Sequence, residues 1–209
     1  MKEQRWLWVW ALLIAGQALG QQDRFRKSPP VPDPLPALAL PKIERTRLMN
    51  GLALAIVARP GQPFISLDLV IQAGESQSPE SLPGLASFTA EMLSRGTALI
   101  SAGDLEERFD AIGGDFSTTV TPDFSRFSLR FLDDSLDRAI ETLSQMVLQP
   151  GFSEREIVAL KRTLFYDLKQ KQKDPEFVGR RQLLRLLFKD HPYGQSFFNE
   201  EVLKNITRK

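Results

Sequence analysis

The sequence predicts a two-layer α+β domain in which helices cover one face of an antiparallel sheet. Three observations lead to this fold class. The predicted elements follow the order of three strands, two helices, two strands and then several helices. The strands are joined by short, hairpin-like connections, which favour antiparallel pairing. The helices are amphipathic and therefore need an apolar surface to cover.

The first two strands are predicted at Arg45–Met49 and Leu52–Ala58, on either side of Asn50-Gly51. Asn-Gly is the usual sequence of a type I′ turn, so this segment is expected to form a two-residue hairpin. A third strand is predicted at Phe64–Ala73, because apolar and polar residues alternate there. The apolar residues are Ile65, Leu67, Leu69 and Ile71. Two later strands, at 115–120 and 124–131, are joined by a turn at Thr121-Pro122-Asp123.

Helices are predicted where capping signals and helical spacing coincide. One lies at about 85–94, and the next begins at Ser101 and ends at Gly113-Gly114. A third covers 134–148 and places Leu136, Ile140, Leu143 and Val147 on one face.

Four further elements follow. Ser153 and Glu156 form a capping box that opens a long helix ending near Lys171. A helix at 174–188, a turn at His191-Pro192-Tyr193-Gly194 and a short helix at 200–206 complete the prediction.

Composition excludes several classes of site. The 209 residues carry a formal net charge of +1, which gives no electrostatic reason to expect nucleic-acid binding. The chain has no cysteine, so it can form neither a disulfide framework nor a thiolate metal site. It has one histidine, His191, so a conventional zinc site with two or three imidazoles cannot be assembled within it.

The first 41 residues are predicted to lie outside the folded domain. Residues 1–20 have the features of a secretory signal peptide: Lys2 and Arg5, an apolar run of suitable length, and small residues near its end. An uncleaved membrane anchor is the alternative. Residues 21–41 contain six prolines and are expected to form a semi-rigid linker. An exported chain without cysteine fits the periplasm or a secreted location, with no membrane attachment after signal cleavage.

One segment carries most of the functional information. Residues 84–97 read Gly-Leu-Ala-Ser-Phe-Thr-Ala-Glu-Met-Leu-Ser-Arg-Gly-Thr. This segment resembles the zinc-binding helix of the insulinase-like peptidases, which include pitrilysin and the mitochondrial processing peptidase. In that family the helix reads Gly-Leu-Ala-His-Phe-x-Glu-His-Met-Leu-Phe-x-Gly-Thr and contains an inverted His-x-x-Glu-His motif. The later sequence His191-Pro192-Tyr193-Gly194 also resembles the family.

The resemblance implies that the catalytic groups are missing. Ser87 and Glu91 stand where the two histidine ligands belong, and Ala90 stands where the general-base glutamate belongs. Aligning Glu154–Val158 with a Glu-Arg-x-x-Val segment of the family places Lys161 at the third ligand position. Lys161 would repel a zinc ion, but it could form an ion pair with Glu91. Glu91 could also be simply a solvated helix carboxylate.

These matches imply a non-catalytic homologue of a zinc metallopeptidase, with no cofactor expected. In the family, zinc belongs to the active members, and an inactive subunit can help an active one to form a chamber and bind extended peptide. A role as such a partner, with an active insulinase-like subunit and extended peptides as binding partners, is therefore the expected function. Two alternatives stay open: a truncated remnant or scaffold domain, and an unconventional metallopeptidase that uses Glu91 and nearby carboxylates.

The resemblance covers residues 42–209, which are expected to form an insulinase-like N-terminal domain. Family subunits normally contain two such halves, and strands are expected after Ile206. The sequence therefore predicts an incomplete first half of a subunit.

Overall fold

The computed structural model describes residues 41–195 and 198–208. The chain divides into two compact units, one up to Pro60 and the other from Gly61 onward. The predicted signal peptide and all but the last residue of the predicted linker lie outside the described residues. The boundaries of the signal peptide, linker and folded domain therefore stay predictions.

The described part of the first unit is a single antiparallel hairpin. It consists of β1 (Ile43–Arg47) and β2 (Ala53–Val57), with Ile43 opposite Val57 and Arg47 opposite Ala53. The prediction of a type I′ turn is wrong, because only Gly51, and not Asn50, has a positive φ angle. Gly51 N–H donates to the Leu48 carbonyl, and Leu48 N–H donates to the Leu52 carbonyl, which makes a longer loop. Asn50 stabilises this loop by accepting a hydrogen bond from Leu52 N–H.

The second unit contains a three-stranded antiparallel sheet. Its strands are β3 (Phe64–Ile71), β4 (Asp115–Val120) and β5 (Ser125–Leu132), and β5 lies in the centre. The five strands thus occur in two separate sheets. The predicted fold class of antiparallel strands with covering helices is nevertheless confirmed.

The described residues form seven α-helices, of which six coincide with predicted helices. The side chains of Ser101 and Asp174 cap two of these helices by accepting hydrogen bonds from Asp104 N–H and Glu176 N–H. The helices are α1 (Leu85–Leu93), α2 (Ala102–Ala111), α3 (Leu136–Leu148), α4 (Glu154–Lys171), α5 (Pro175–Phe188), α6 (Pro192–Gln195) and α7 (Glu200–Asn205).

The core lies between the helices and one face of the sheet. Phe127, Leu129 and Phe131 of β5 are buried, while Arg126 and Arg130, which alternate with them along the strand, are exposed. Burying such side chains contributes about 1.5–3 kcal/mol each before entropy is counted. One cluster joins β5 to α2 and α3, a second joins α1 to α4 and α7, and a third joins α1 to the sheet.

The core face of helix α3 is only partly the one its periodicity predicts. Of the four predicted residues, Leu143 is buried and Val147 packs against the same cluster, whereas Leu136 and Ile140 are exposed. Ala139, Thr142 and Met146 are buried instead, so the face is rotated around the helix. The buried Thr142 hydroxyl is satisfied by the Arg138 carbonyl.

Two local predictions are only partly correct. Ser153 caps α4 by accepting a hydrogen bond from Glu156 N–H. The Glu156 carboxylate, however, points to Arg95 at 3.5 Å instead of completing a capping box. The predicted turn at His191 continues into the short helix α6, and His191 Nδ1 accepts a hydrogen bond from Tyr193 N–H. Among the described residues, no helix is long and apolar enough to cross a membrane.

Candidate functional site

The N-terminus of α1 is stabilised by a buried carboxylate from a preceding loop. The helix starts at Gly84, which has no side chain to cap it and has a φ of +93°. Glu75, only 7% exposed, accepts hydrogen bonds from Gly84 N–H at 3.1 Å and Ser87 N–H at 2.8 Å. The hydroxyls of Ser78 and Ser87 also donate to Glu75. These bonds satisfy donors that a helix start leaves unpaired, and the negative charge suits the helix dipole.

The sequence interpretation missed Glu75, although a signal for it exists. A helix that begins after Pro83-Gly84 has no capping side chain of its own. Its free N–H groups must then find an acceptor elsewhere. The preceding loop holds two carboxylates, Glu75 and Glu80, and only the folded structure distinguishes the buried one from the exposed one.

The residues of α1 that match the family segment most closely are packing residues. Phe88 and Met92 are buried with Ile157 and Leu160 of α4. The same cluster contains Val202, Leu203 and Ile206. Leu93 belongs to the cluster that joins α1 to the sheet. The apolar frame therefore holds α1 between the sheet and the later helices.

Both glycines of the segment are required by geometry. A Cβ on Gly84 would lie 2.6 Å from the Phe198 ring, and the positive φ already disfavours other residues. Gly96 has a φ of +103°, and a Cβ there would lie 2.9 Å from the Ile100 carbonyl oxygen. Thr97 then closes the turn, since its hydroxyl accepts from Leu99 N–H and Ile100 N–H.

The three positions that correspond to catalytic groups lie on one side of α1, because they are spaced i, i+3 and i+4. The Ser87 hydroxyl is already engaged with Glu75. Ala90 is 3% exposed and belongs to an apolar cluster with Phe127 and Leu143. Glu91 is the single carboxylate of the three. None of these positions carries an imidazole, so the site offers no pair of neutral nitrogen ligands.

The environment of Glu91 is mixed in charge. Burial is the largest influence and raises the pKa of Glu91 above its ordinary value. Arg95 opposes this rise, Asp167 of α4 adds to it, and Lys171 opposes it. The carboxyl group therefore holds its proton more tightly than a solvated glutamate does.

The expected ion pair between Lys161 and Glu91 is wrong. Lys161 Nζ donates instead to the Lys204 carbonyl oxygen at 3.0 Å, which links α4 to α7. The α4 residues whose charges act on Glu91 are Asp167 and Lys171. A lysine side chain prefers the free carbonyl at the end of α7 because the helix C-terminus is electronegative. The assignment of Lys161 to the third ligand position stays a prediction, and Asp167 is the α4 carboxylate that competes with it.

The residues present do not fit a catalytic zinc ion. Such an ion needs three protein ligands of imidazole or carboxylate type and an open position for water. This chain offers Glu91 and Asp167, with a serine already hydrogen-bonded at 87. Within residues 41–195 and 198–208, no three His, Cys, Asp or Glu side chains converge to hold a metal ion.

Known proteins share part of this sequence. An uncharacterized zinc protease of Rickettsia bellii is 24% identical over 150 residues, which are 72% of this chain and 36% of that protein. A probable β subunit of the mitochondrial-processing peptidase of Arabidopsis thaliana is 23% identical over 172 residues, covering 82% of this chain and 32% of that protein. The chain thus spans about a third of the length of these relatives.

Solved structures share the fold. A Pseudomonas fluorescens protein, described as an inactive domain of peptidase M16, superposes with a TM-score of 0.74 and 24% identity. The match covers 80% of this chain and 41% of that one. A family model described as insulinase (Peptidase family M16) matches residues 53–201, well over half of the sequence. The segment that resembles the zinc-binding helix folds as α1, and the assignment of Ser87, Ala90 and Glu91 to the motif positions stays a prediction. The chain belongs to the insulinase family of peptidases.

Proposed function

We propose that this chain is a non-catalytic member of the insulinase family that binds extended peptide beside an active subunit. The observation that carries the proposal is the state of the three motif positions on α1. Ser87 is hydrogen-bonded to Glu75, Ala90 is buried in an apolar cluster, and Glu91 is the only potential ligand among them. At these three positions, hydrolysis through a zinc-bound water would have neither its histidine ligands nor its general base.

The relatives support a binding role in two ways. Some are named zinc proteases or a processing-peptidase subunit, so the fold is used by proteins named for acting on peptides. Another protein of the same fold is described as an inactive domain. A partner that supplies a complete His-x-x-Glu-His motif would provide the chemistry, while this chain would contribute to the binding chamber.

The free edge of β4 is the proposed peptide-binding surface. Among the described strands, β4 pairs only with β5, and α1 packs close to it. Thr121 N–H bonds the Phe124 carbonyl at the hairpin end. The alternation of an antiparallel ladder then turns the backbone groups of Phe116, Thr118 and Val120 toward the free edge. An extended peptide can add there through main-chain hydrogen bonds.

The location of this binding follows from the N-terminal sequence. We expect residues 1–20 to direct export, so that the mature chain works in the periplasm or outside the cell. The partner is then an exported, active insulinase-like peptidase.

Peptide binding at the β4 edge is tested with a proline substitution. Thr118→Pro removes one N–H at the free edge while leaving the ladder to β5 intact, so it should weaken binding of a labelled extended peptide in fluorescence anisotropy. Thr118→Val keeps the N–H and serves as the control. Equal affinity of the parent and Thr118→Pro would exclude this edge, and no binding by the parent would overturn the peptide-binding role.

Loss of the metal site is tested by calorimetric titration with Zn²⁺. The parent should bind no zinc at micromolar metal, whereas Ser87→His/Glu91→His should bind it with the help of a carboxylate from α4. Adding Asp167→Ala to this pair should abolish binding if Asp167 is the third ligand position, and adding Lys161→Ala should not. Stoichiometric zinc binding by the parent would contradict the non-catalytic assignment.

A further inference from the structure

The face of the sheet that points away from the core is polar and carries two arginines. Side chains alternate along β5, so burial of Phe127, Leu129 and Phe131 places Arg126 and Arg130 on the opposite, exposed face. Most of their neighbours on this face are polar: Ser66 and Asp68 of β3, Ser128 of β5, and Asp115, Ser117 and Thr119 of β4. Two neighbours on β3, Phe64 and Val70, are apolar.

Arg130 already has two interaction partners within the sheet. Its cross-strand partner on β4 is Asp115, which lies between Arg130 and the free edge. On the other side, the guanidinium carbon of Arg130 lies 3.8 Å from the centre of the Phe64 ring. Arg130 therefore leans toward β3, away from the edge at which a peptide would add.

Neither cross-strand neighbour of Arg126 carries a carboxylate. Its cross-strand partners are Thr119 on β4 and Val70 on β3. Its guanidinium carbon lies 5.5 Å from the Phe124 ring, a looser contact than that of Arg130. The nearest acidic residue in sequence, Asp123, accepts a hydrogen bond from the Tyr193 hydroxyl. Among the described residues, Arg126 forms no ion pair.

We infer that Arg126 gives the β4 edge a preference for extended peptides with an acidic side chain beside Thr119. The inference rests on the proposed peptide-binding function and specifies its substrate class. An added strand would lie ~4.8 Å from β4, and therefore ~10 Å from β5. Arginine and glutamate side chains together span that distance, and the short Thr119 side chain between them does not block the approach.

The expected preference is modest because the pair would be exposed to solvent. An exposed ion pair changes an affinity by roughly two- to fivefold, and added salt screens it. Arg126 and Arg130 carry the same charge on the same strand, so they form a matched pair for the test. General electrostatic attraction would depend on both arginines equally, whereas the proposed contact depends on Arg126 alone.

The test measures binding of two labelled peptides to the full chain by fluorescence anisotropy at low salt. Both peptides alternate Val and Thr, and one central Thr is replaced by Glu in the first and by Gln in the second. The parent should bind the Glu peptide roughly two- to fivefold more tightly. Arg126→Gln should bind both peptides equally, and Arg130→Gln should keep the preference.

If the parent binds peptide, three results would still overturn the inference. The first is equal binding of the two peptides by the parent, which would leave the proposed function standing. The second is a preference that survives Arg126→Gln, and the third is one that Arg130→Gln removes equally well. If the parent binds neither peptide, the proposed peptide-binding function fails and the inference fails with it.

Discussion

The two sides of helix α1 differ in how far their residues match the family segment. One side carries Phe88, Met92 and Leu93, whose apolar character is that of the family segment and which pack into two core clusters. The other side carries Ser87, Ala90 and Glu91, which the sequence resemblance assigns to the ligands and the base. Of these three, Ala90 is also buried, in the same cluster as Leu93. Packing residues contribute to the stability of the fold. The free energy of unfolding drops by about 2–5 kcal/mol when a large core side chain is removed. Catalytic residues contribute to activity and not to core packing, so the fold can be stable without them.

The largest expected effect comes from restoring the missing base. Ala90→Glu places a carboxylate inside the cluster of Leu93, Phe127 and Leu143, where no partner for it is present. We expect a loss of roughly 3–5 kcal/mol in the free energy of unfolding, measured by urea denaturation at neutral pH. Thr89→Glu, at the exposed neighbouring position, is the control and should be nearly neutral. A stable Ala90→Glu protein would show that position 90 faces a polar cavity.

The next effect tests the buried cap. Glu75→Ala leaves the N–H groups of Gly84 and Ser87 without their acceptor. Because buried donors are costly when unpaired, stability should fall by roughly 2–3 kcal/mol. Glu80→Ala removes an exposed carboxylate from the same loop and should change little. Equal effects of the two substitutions in thermal denaturation would contradict a specific role for Glu75.

A smaller loss is expected at the start of the helix. Gly84→Ala introduces a Cβ at a positive φ and 2.6 Å from the Phe198 ring. It should destabilise the protein by roughly 1–3 kcal/mol. Gly103→Ala is the matched control, since it lies in α2 with open space around it and should be slightly stabilising. Differential scanning calorimetry measures the melting temperatures of both variants. An unchanged melting temperature in Gly84→Ala would show that glycine is not required at position 84.

The smallest effect concerns the charge of Glu91. Its pKa is raised in the folded state, so the folded chain binds its proton more tightly than the unfolded chain does. This contribution therefore favours folding at low pH and is lost as the pH rises from the ordinary value of 4.5 through the raised pKa. Glu91→Gln should raise the melting temperature slightly at pH 7, and this gain should shrink below pH 4.5. A gain independent of pH would point to packing as the cause, and Glu154→Gln, which changes an exposed carboxylate of α4, provides the control.

The order and type of the second unit's elements could be predicted from local sequence. Ser101 and Ser153 cap the helices that they were expected to cap, because capping depends on residues within one turn. The turn of the first hairpin and the full core face of α3 could not be predicted. The turn conformation at Asn50 depends on how its side chain bonds to Leu52, and the burial of Ala139 and Met146 instead of Leu136 and Ile140 depends on which elements pack against α3.

The candidate site also has features that local sequence predicts and features that it does not. The sequence by itself determined that an α1-type helix would form and that its motif positions carry Ser87, Ala90 and Glu91, because residue identity and helical spacing are local properties. Only the tertiary structure decided that Glu75 caps this helix, that Lys161 bonds the end of α7 and that Asp167 influences Glu91. These relations join residues that are between 12 and 76 positions apart in the chain. Residue spacing does not predict which of such distant residues come into contact, since these contacts are set by how the helices and the sheet pack together.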